Sequence, residues 1–103
     1  MWLFTMFDLP TGTAAERKAA TGFRNRLLKD GYAMMQYSVY VRHCGSPQLA
    51  QLHAHRLDRM LPDKGKVSSL LVTDRQYGEM KNFYGKRKRR PTHAPLPQLE
   101  MFI

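Results

Sequence analysis

Asp8 is the residue of this 103-residue sequence with the clearest potential for chemistry, because it ends an apolar and aromatic run. Its carboxylate would lie at the end of a buried strand, where it can bind a divalent cation whose bound water attacks a phosphodiester. The same position also suits a helix-capping or loop-bonding aspartate, and one carboxylate alone is a poor metal site. A two-fold axis near this strand end would bring two copies of Asp8 together.

Basic residues in the predicted first helix form a second candidate site. Arg17 and Arg24 are seven positions apart, so they share a helix face beside the apolar stripe. Together with Lys18 they could contact successive phosphates of a nucleic acid. Exposed basic helix flanks are common, so a solvated surface without a ligand is an equally good interpretation.

Five consecutive cations make up a third group, which consists of Lys86, Arg87, Lys88, Arg89 and Arg90. Runs of this kind often bind nucleic acid without sequence preference, and such binding weakens steeply with salt. A solvated linker and a nuclear-localisation signal are the alternatives for this pattern. Apolar residues return after the run, and we predict that they dock as a strand on their own sheet or on a neighbouring chain: Leu99, Met101, Phe102 and Ile103.

The overall composition favours a polyanionic partner. Lys and Arg total 17 against 8 Asp and Glu, which gives a formal net charge of +9, and nucleic acid is the commonest partner of so basic a domain. No apolar run reaches membrane-spanning length, so a membrane is not indicated as a partner. The single cysteine, Cys44, fits a reducing cytoplasm. Neither His43 beside Cys44 nor the pair His53 and His55 has a metal-binding spacing, and we interpret all four residues as structural.

The pattern of elements predicts how these residues are positioned. Residues 2–8 read as a central strand, and Thr13 with Glu16 has the spacing of a capping box that opens a helix to about Asp30. Residues 32–42 suggest two short strands joined at Gln36 and Tyr37. A second helix follows from 46–47 to about 61, and a strand covers 67–73.

This order predicts an α+β, ferredoxin-like βαββαβ fold. Its antiparallel sheet would carry two helices on one face and leave the other face free for a partner or ligand. We predict a core over residues 1–76. Residues 77–103 would form a basic, proline-rich C-terminal segment that ends in an extra docking strand, with a short helix or an irregular strand over 77–84.

Several segments together resemble the CRISPR-associated protein 2 family, over nearly the whole chain. The segment from Met35 to Tyr40, Met-Gln-Tyr-Ser-Val-Tyr, is the most specific, and two others resemble the branch found in single-effector, type II systems: Met6-Phe7-Asp8-Leu9-Pro10 and Val72-Thr73-Asp74-Arg75-Gln76. The remaining matching segments are Glu16-Arg17-Lys18, Leu27-Leu28-Lys29-Asp30-Gly31-Tyr32 and Gly65-Lys66-Val67. Leu71, directly before Val72, also matches.

The resemblance implies a cytoplasmic homodimer at the centre of the spacer-acquisition complex. Two dimers of the CRISPR integrase (CRISPR-associated protein 1) would flank it, with a DNA duplex lying across the assembly. The family is also described as metal-dependent endonucleases that act on RNA or double-stranded DNA. Asp8 would then be the catalytic residue and hold Mg²⁺, with Mn²⁺ as a substitute. The family's basic residues near the start of the first helix correspond to Arg17 and Lys18.

Two functions therefore compete, an architectural DNA-binding subunit and a metal-dependent nuclease. The sequence favours the first, because it has many phosphate-binding groups but one candidate catalytic carboxylate, with no His or Lys near it in sequence as a base. A single-strand RNA binder of similar fold is less well supported, since no predicted strand carries the aromatic platform of such domains.

Overall fold

Four strands and two long helices follow one another in the predicted βαββαβ order, and a third, short helix comes after the last strand. The computed structural model describes residues 1–86 of the chain. The elements are β1 (Trp2–Asp8), α1 (Ala14–Lys29), β2 (Ala33–Gln36), β3 (Val39–His43), α2 (Pro47–Asp58), β4 (Lys66–Val72) and α3 (Asp74–Gly78).

The sheet has the strand order β2-β3-β1-β4, and every neighbouring pair is antiparallel. This is the ferredoxin-like arrangement, so the predicted fold class is confirmed. Within residues 1–86, β4 is an edge strand that pairs with β1 alone. The predicted extra C-terminal strand falls in residues 87–103, which lie outside the described part of the chain.

Alternate residues of β1 divide the sheet into two faces. Leu3, Thr5 and Phe7 are buried, whereas Trp2, Phe4 and Met6 between them are half-buried. The buried set packs under α1 and α2, whose own buried positions supply Phe23, Leu27, Ala50 and Leu57 to one core. The half-buried set lies on the opposite face, which we call the open face.

Local signals in the sequence explain where the two long helices begin. The Thr13 hydroxyl accepts a hydrogen bond from the Glu16 backbone N–H at 3.1 Å, and the Glu16 carboxylate accepts from the Thr13 N–H at 3.0 Å, which completes the predicted capping box. Ser46 caps α2 with one such bond, since its hydroxyl accepts from the Leu49 backbone N–H at 3.2 Å. That helix ends before the expected position near residue 61, because the Met60 N–H bonds to Leu57 O in a tighter final turn.

The open face is not wholly free, contrary to the sequence-based expectation. Thr73 and Gln76 form a second capping box, which starts α3 and turns the chain back over this face. The Tyr77 ring stacks on Trp2, with centroids 3.8 Å apart and planes 6° from parallel, and lies edge-on to Phe4. This burial raises the pKa of the Tyr77 hydroxyl. The part of the open face nearer the C-terminal end of β1 remains exposed.

Candidate nucleic-acid interface and strand-end carboxylate

Asp8 is the last residue of β1 and is exposed. Side chains alternate along a strand, so Asp8 belongs with Trp2, Phe4 and Met6 on the open face. Its carboxylate forms no hydrogen bond or ion pair with any residue in 1–86. The carboxylate is therefore available to a ligand, although it has no protein partner that would hold it in one position.

Two residues distant in sequence lie beside Asp8. Lys66 is its direct partner in the β1–β4 ladder, and directly opposed residues of an antiparallel pair present their side chains on the same face. On the other side of β1, the Phe7 N–H donates to the Ser38 carbonyl at 3.0 Å, which places the turn at Tyr37 and Ser38 next to the end of the strand. We call Asp8, Tyr37 and Lys66 the strand-end cluster.

Lys66 was not predicted from sequence as a neighbour of Asp8, because the two residues are distant along the chain and only the register of β4 against β1 brings them together. The pairing of the first strand with the last was implicit in the predicted fold, but its register was not.

The two residues of the turn between β2 and β3 are also unusual. Ser38 has a φ of +63°, which is uncommon for a residue other than glycine, and Tyr37 is 84% exposed.

Gly65 fixes the start of β4 against the end of β1. Its φ is +99°, and a Cβ atom at this position would lie 2.7 Å from the Asp8 carbonyl oxygen and 2.7 Å from Leu9 Cδ2. A glycine is therefore needed both for the backbone conformation and for the close approach of the two chain segments. The absence of a side chain at Gly65 thus permits the register that pairs Lys66 with Asp8.

The donor set for a metal ion is small in one copy of the chain. No group of three or more His, Cys, Asp or Glu residues gathers within residues 1–86. Mg²⁺ is commonly held by one or two carboxylates with water completing its shell, and an exposed Asp8 fits that role if a second copy contributes another. A metal at this position thus fits a symmetric dimer better than a single chain.

The predicted basic residues of α1 lie on the helix layer, on the other side of the sheet from the strand-end cluster. Arg17 and Lys18 are exposed and Arg24 is half-buried. One guanidinium nitrogen of Arg17 donates to Thr11 O at 3.1 Å, which holds the side chain near the start of the helix. A shallow groove along α1 is lined by Arg17 and Lys18 but not by Arg24. Its third cation is Arg26, which was not among those predicted from sequence.

Most of the predicted C-terminal site lies outside the described residues. Lys86 is described and exposed. The rest of the five-cation run, together with the predicted docking residues Leu99, Met101, Phe102 and Ile103, falls in 87–103. These assignments remain predictions from sequence.

A buried polar cluster ties α2 to the end of α1. Asp30 is 7% exposed, and its carboxylate contacts two residues of α2: one oxygen is within hydrogen-bond distance of His53 Nδ1 at 2.9 Å, and the other forms an ion pair with the Arg56 guanidinium at 2.5 Å. His53 is itself buried. A structural role for His53 was predicted from sequence, but its partner Asp30 was not.

The other residues without an assigned function lie at the end of the sheet away from Asp8. Cys44 is buried. His43 packs edge-on against Trp2 and lies 3.6 Å from the Asp74 carboxylate. The Met1 amino group donates to that carboxylate at 2.7 Å and lowers its pKa.

Within residues 1–86, no helix is both long enough and apolar enough to cross a membrane.

Comparisons with known proteins are consistent with one another. The family model described as CRISPR associated protein Cas2 matches residues 1–80. A CRISPR-associated endoribonuclease Cas2 from Parvibaculum lavamentivorans is 49% identical, with 99% of this chain and 100% of the relative covered. A protein of the same name from Flavobacterium psychrophilum is 46% identical, with 99% and 88% covered.

Among solved structures, the crystal structure of Streptococcus pyogenes Cas2 at pH 6.5 superposes with a TM-score of 0.61. It covers 82% of this chain and 100% of the other chain, at 19% sequence identity. At that identity the likeness supports the fold.

Proposed function

Because the chain belongs to the CRISPR-associated Cas2 family, we propose that it is the dimeric, nucleic-acid-binding core of a spacer-acquisition complex. It would work in the cytoplasm with the CRISPR integrase, CRISPR-associated protein 1, and hold a DNA duplex through phosphate contacts. The observation that carries this proposal is the basic surface of α1. This helix carries Arg17, Lys18 and Arg24, and its one acidic residue is Glu16. The whole chain has a net charge of +9.

Phosphate contacts of this kind give affinity without reading sequence. Arg17 and Arg24 flank the buried stripe of α1, and the guanidinium groups of such residues match the geometry of phosphate oxygens. The C-terminal cations would add further contacts to the same polyanion. An interface of this type suits a subunit that must accept spacer DNA of any sequence.

We predict that replacing both Arg17 and Arg24 with Gln weakens duplex binding and flattens its salt dependence. Each lost phosphate contact lowers the slope of log K against log salt by about 0.9. Fluorescence anisotropy with labelled duplexes at several salt concentrations measures this slope.

Arg75→Gln is the matched control, because Arg75 is exposed on α3 and pairs with Glu79 at 2.9 Å. Its affinity and slope should stay at the wild-type values. An unchanged slope in the double variant, or a loss confined to one DNA sequence, would contradict phosphate holding by α1.

The open face supports the dimer part of the proposal. Leu70 lies opposite Phe4 in the β1–β4 ladder and is 54% exposed, so a large apolar side chain on this face lacks cover within residues 1–86. A second copy packed there about a two-fold axis would bury it, and would bring the two Asp8 carboxylates towards each other. The C-terminal residues 99–103 would add a strand at the edge of β4 or on a partner chain.

We predict that Leu70→Asp converts the dimer to a monomer. A carboxylate placed in an apolar interface costs several kcal/mol of association free energy when it has no partner. Light scattering coupled to size-exclusion chromatography gives the mass. Leu52→Asp on α2, where Leu52 is 48% exposed, is the control on the helix layer and should remain dimeric. A dimeric Leu70→Asp variant would rule out this face as the interface.

A metal-dependent endonuclease is the second candidate function, favoured by the exposed, unpaired Asp8 carboxylate and by relatives named endoribonucleases. Asp8 of each copy would hold Mg²⁺, or Mn²⁺ in its place, and the ion would supply an activated water and charge stabilisation at phosphorus. Within one copy, the residues near Asp8 would bind and orient the RNA or DNA backbone.

A further inference from the structure

We propose that Tyr37 and Lys66 are nucleotide-positioning residues at Asp8, with the Lys66 ammonium on a phosphate and the Tyr37 ring under the adjoining base. The ligand is a single-stranded segment of nucleic acid, RNA or DNA. This inference rests on the proposed function in so far as the protein binds nucleic acid. It adds a second surface that contacts nucleic acid, on the opposite side of the sheet from the basic surface of α1.

Lys66 is placed beside Asp8 by the sheet itself. It lies directly opposite Asp8 in the β1–β4 ladder. Gly65 allows the two strands to come together at this end, because a Cβ atom on Gly65 would lie 2.7 Å from the Asp8 carbonyl oxygen. No ion pair joins the Lys66 ammonium to any residue in 1–86. A cation that leaves its neighbouring carboxylate unpaired is available to an anionic ligand, and a phosphodiester carries the matching charge.

The turn between β2 and β3 presents Tyr37 at the same strand end. Tyr37 is 84% exposed and sits beside Ser38, whose backbone is held with φ at +63° and whose carbonyl accepts from the Phe7 N–H. An aromatic ring presented to solvent on an anchored turn is a stacking platform for a base. Duplex bases already stack on one another, so this platform suits a single strand.

Together the three side chains offer a cation, a ring and a carboxylate around the end of one strand. This places the backbone of a bound single strand next to Asp8, which is the group that would hold a metal ion. Tyr37 and Lys66 are thus positioning residues, since they orient the nucleotide rather than take part in bond cleavage.

The experiment measures binding of labelled oligoadenylate, as RNA and as DNA, in EDTA, so the readout does not depend on metal or on cleavage. Tyr37→Ala is expected to weaken binding about fivefold or more, the effect of one lost base–aromatic stack, while Tyr37→Phe keeps wild-type affinity. Lys66→Gln is expected to reduce the salt slope by about 0.7, as for one phosphate contact on a single strand.

Lys64→Gln is the matched control for charge, because Lys64 lies two residues away and faces Glu16 at 4.0 Å. It should leave the slope unchanged. Circular dichroism and light scattering establish that each variant folds and has the wild-type mass. Tighter binding of the RNA or of the DNA oligoadenylate shows which kind of nucleic acid supplies the single strand, and either preference supports the inference.

The inference is overturned if Tyr37→Phe loses as much affinity as Tyr37→Ala, if Lys66→Gln behaves like Lys64→Gln, or if Tyr37→Ala changes the oligomeric mass. It is likewise overturned if both variants weaken duplex and single strand equally. Failure of the proposed function gives a different result, in which the Arg17 and Arg24 double variant binds duplex as well as wild type.

Discussion

Replacing Asp30 with alanine is expected to lower the free energy of unfolding by about 1–3 kcal/mol, the cost of leaving a buried polar group without its hydrogen-bond partner. Asp30 and His53 are both buried and their side chains are joined at 2.9 Å. Without the carboxylate, the His53 Nδ1 atom is left buried without this partner. Arg56 contributes less to the effect, because its side chain is half-exposed and screened by water.

Thermal and urea denaturation measure this loss, which corresponds to a fall in Tm of about 5 °C or more for a domain of this size. Asp30→Asn is the informative companion variant, since the amide keeps the shape and one acceptor but removes the charge. The Tm of Asp30→Asn should lie between those of wild type and Asp30→Ala. A wild-type Tm for Asp30→Ala would mean that the cluster is not a structural tie between α1 and α2.

The second large effect separates the two candidate functions. Asp8→Ala is expected to integrate a DNA duplex at the wild-type rate when mixed with its cognate integrase, while any metal-dependent cleavage falls about 100-fold or more. Loss of the carboxylate removes the group that would hold the cation, and a bound cation contributes several kcal/mol to stabilising the transition state. Integration assays and cleavage assays on RNA and DNA, run in parallel, measure both activities.

Asp8 is exposed and forms no side-chain bond within residues 1–86, so the variant should fold and dimerise normally. Lys66→Gln in the same assays shows whether a cation beside Asp8 matters as well. If Asp8→Ala remains dimeric and binds duplex but fails to integrate, then the chemistry of Asp8 belongs to the acquisition pathway, and the endonuclease becomes the better assignment.

The features that sequence predicted well are those determined by neighbouring residues. Thr13 and Glu16 cap α1 through bonds between residues three apart, and the alternation of β1 follows from the strand itself. The Thr73 and Gln76 box has the same spacing as the first one. The start of α3 at Asp74 was nevertheless missed, because the sequence-based prediction was a short helix or an irregular strand over 77–84.

The features that sequence missed depend on residues brought together by folding. Lys66 meets Asp8 through the register of β1 with β4, and His53 meets Asp30 through the packing of two helices. Neither spacing along the chain nor residue type indicates such a pair. Residue type makes Asp8 and the basic residues of α1 candidates for a site, because their charge is informative before their neighbours are known, and their roles remain predictions.

The strand order has a consequence for synthesis of the protein on the ribosome. β1 is made before the other three strands of this sheet, yet it lies between β3 and β4. Its last pairing partner begins at Lys66, which is translated about 3–12 s after Asp8 at 5–20 residues per second. During that time the aromatic and aliphatic side chains of β1 lack their final neighbours. The nascent chain therefore passes through a period in which its central strand is open to chaperones and to aggregation, and this period ends when β4 is added.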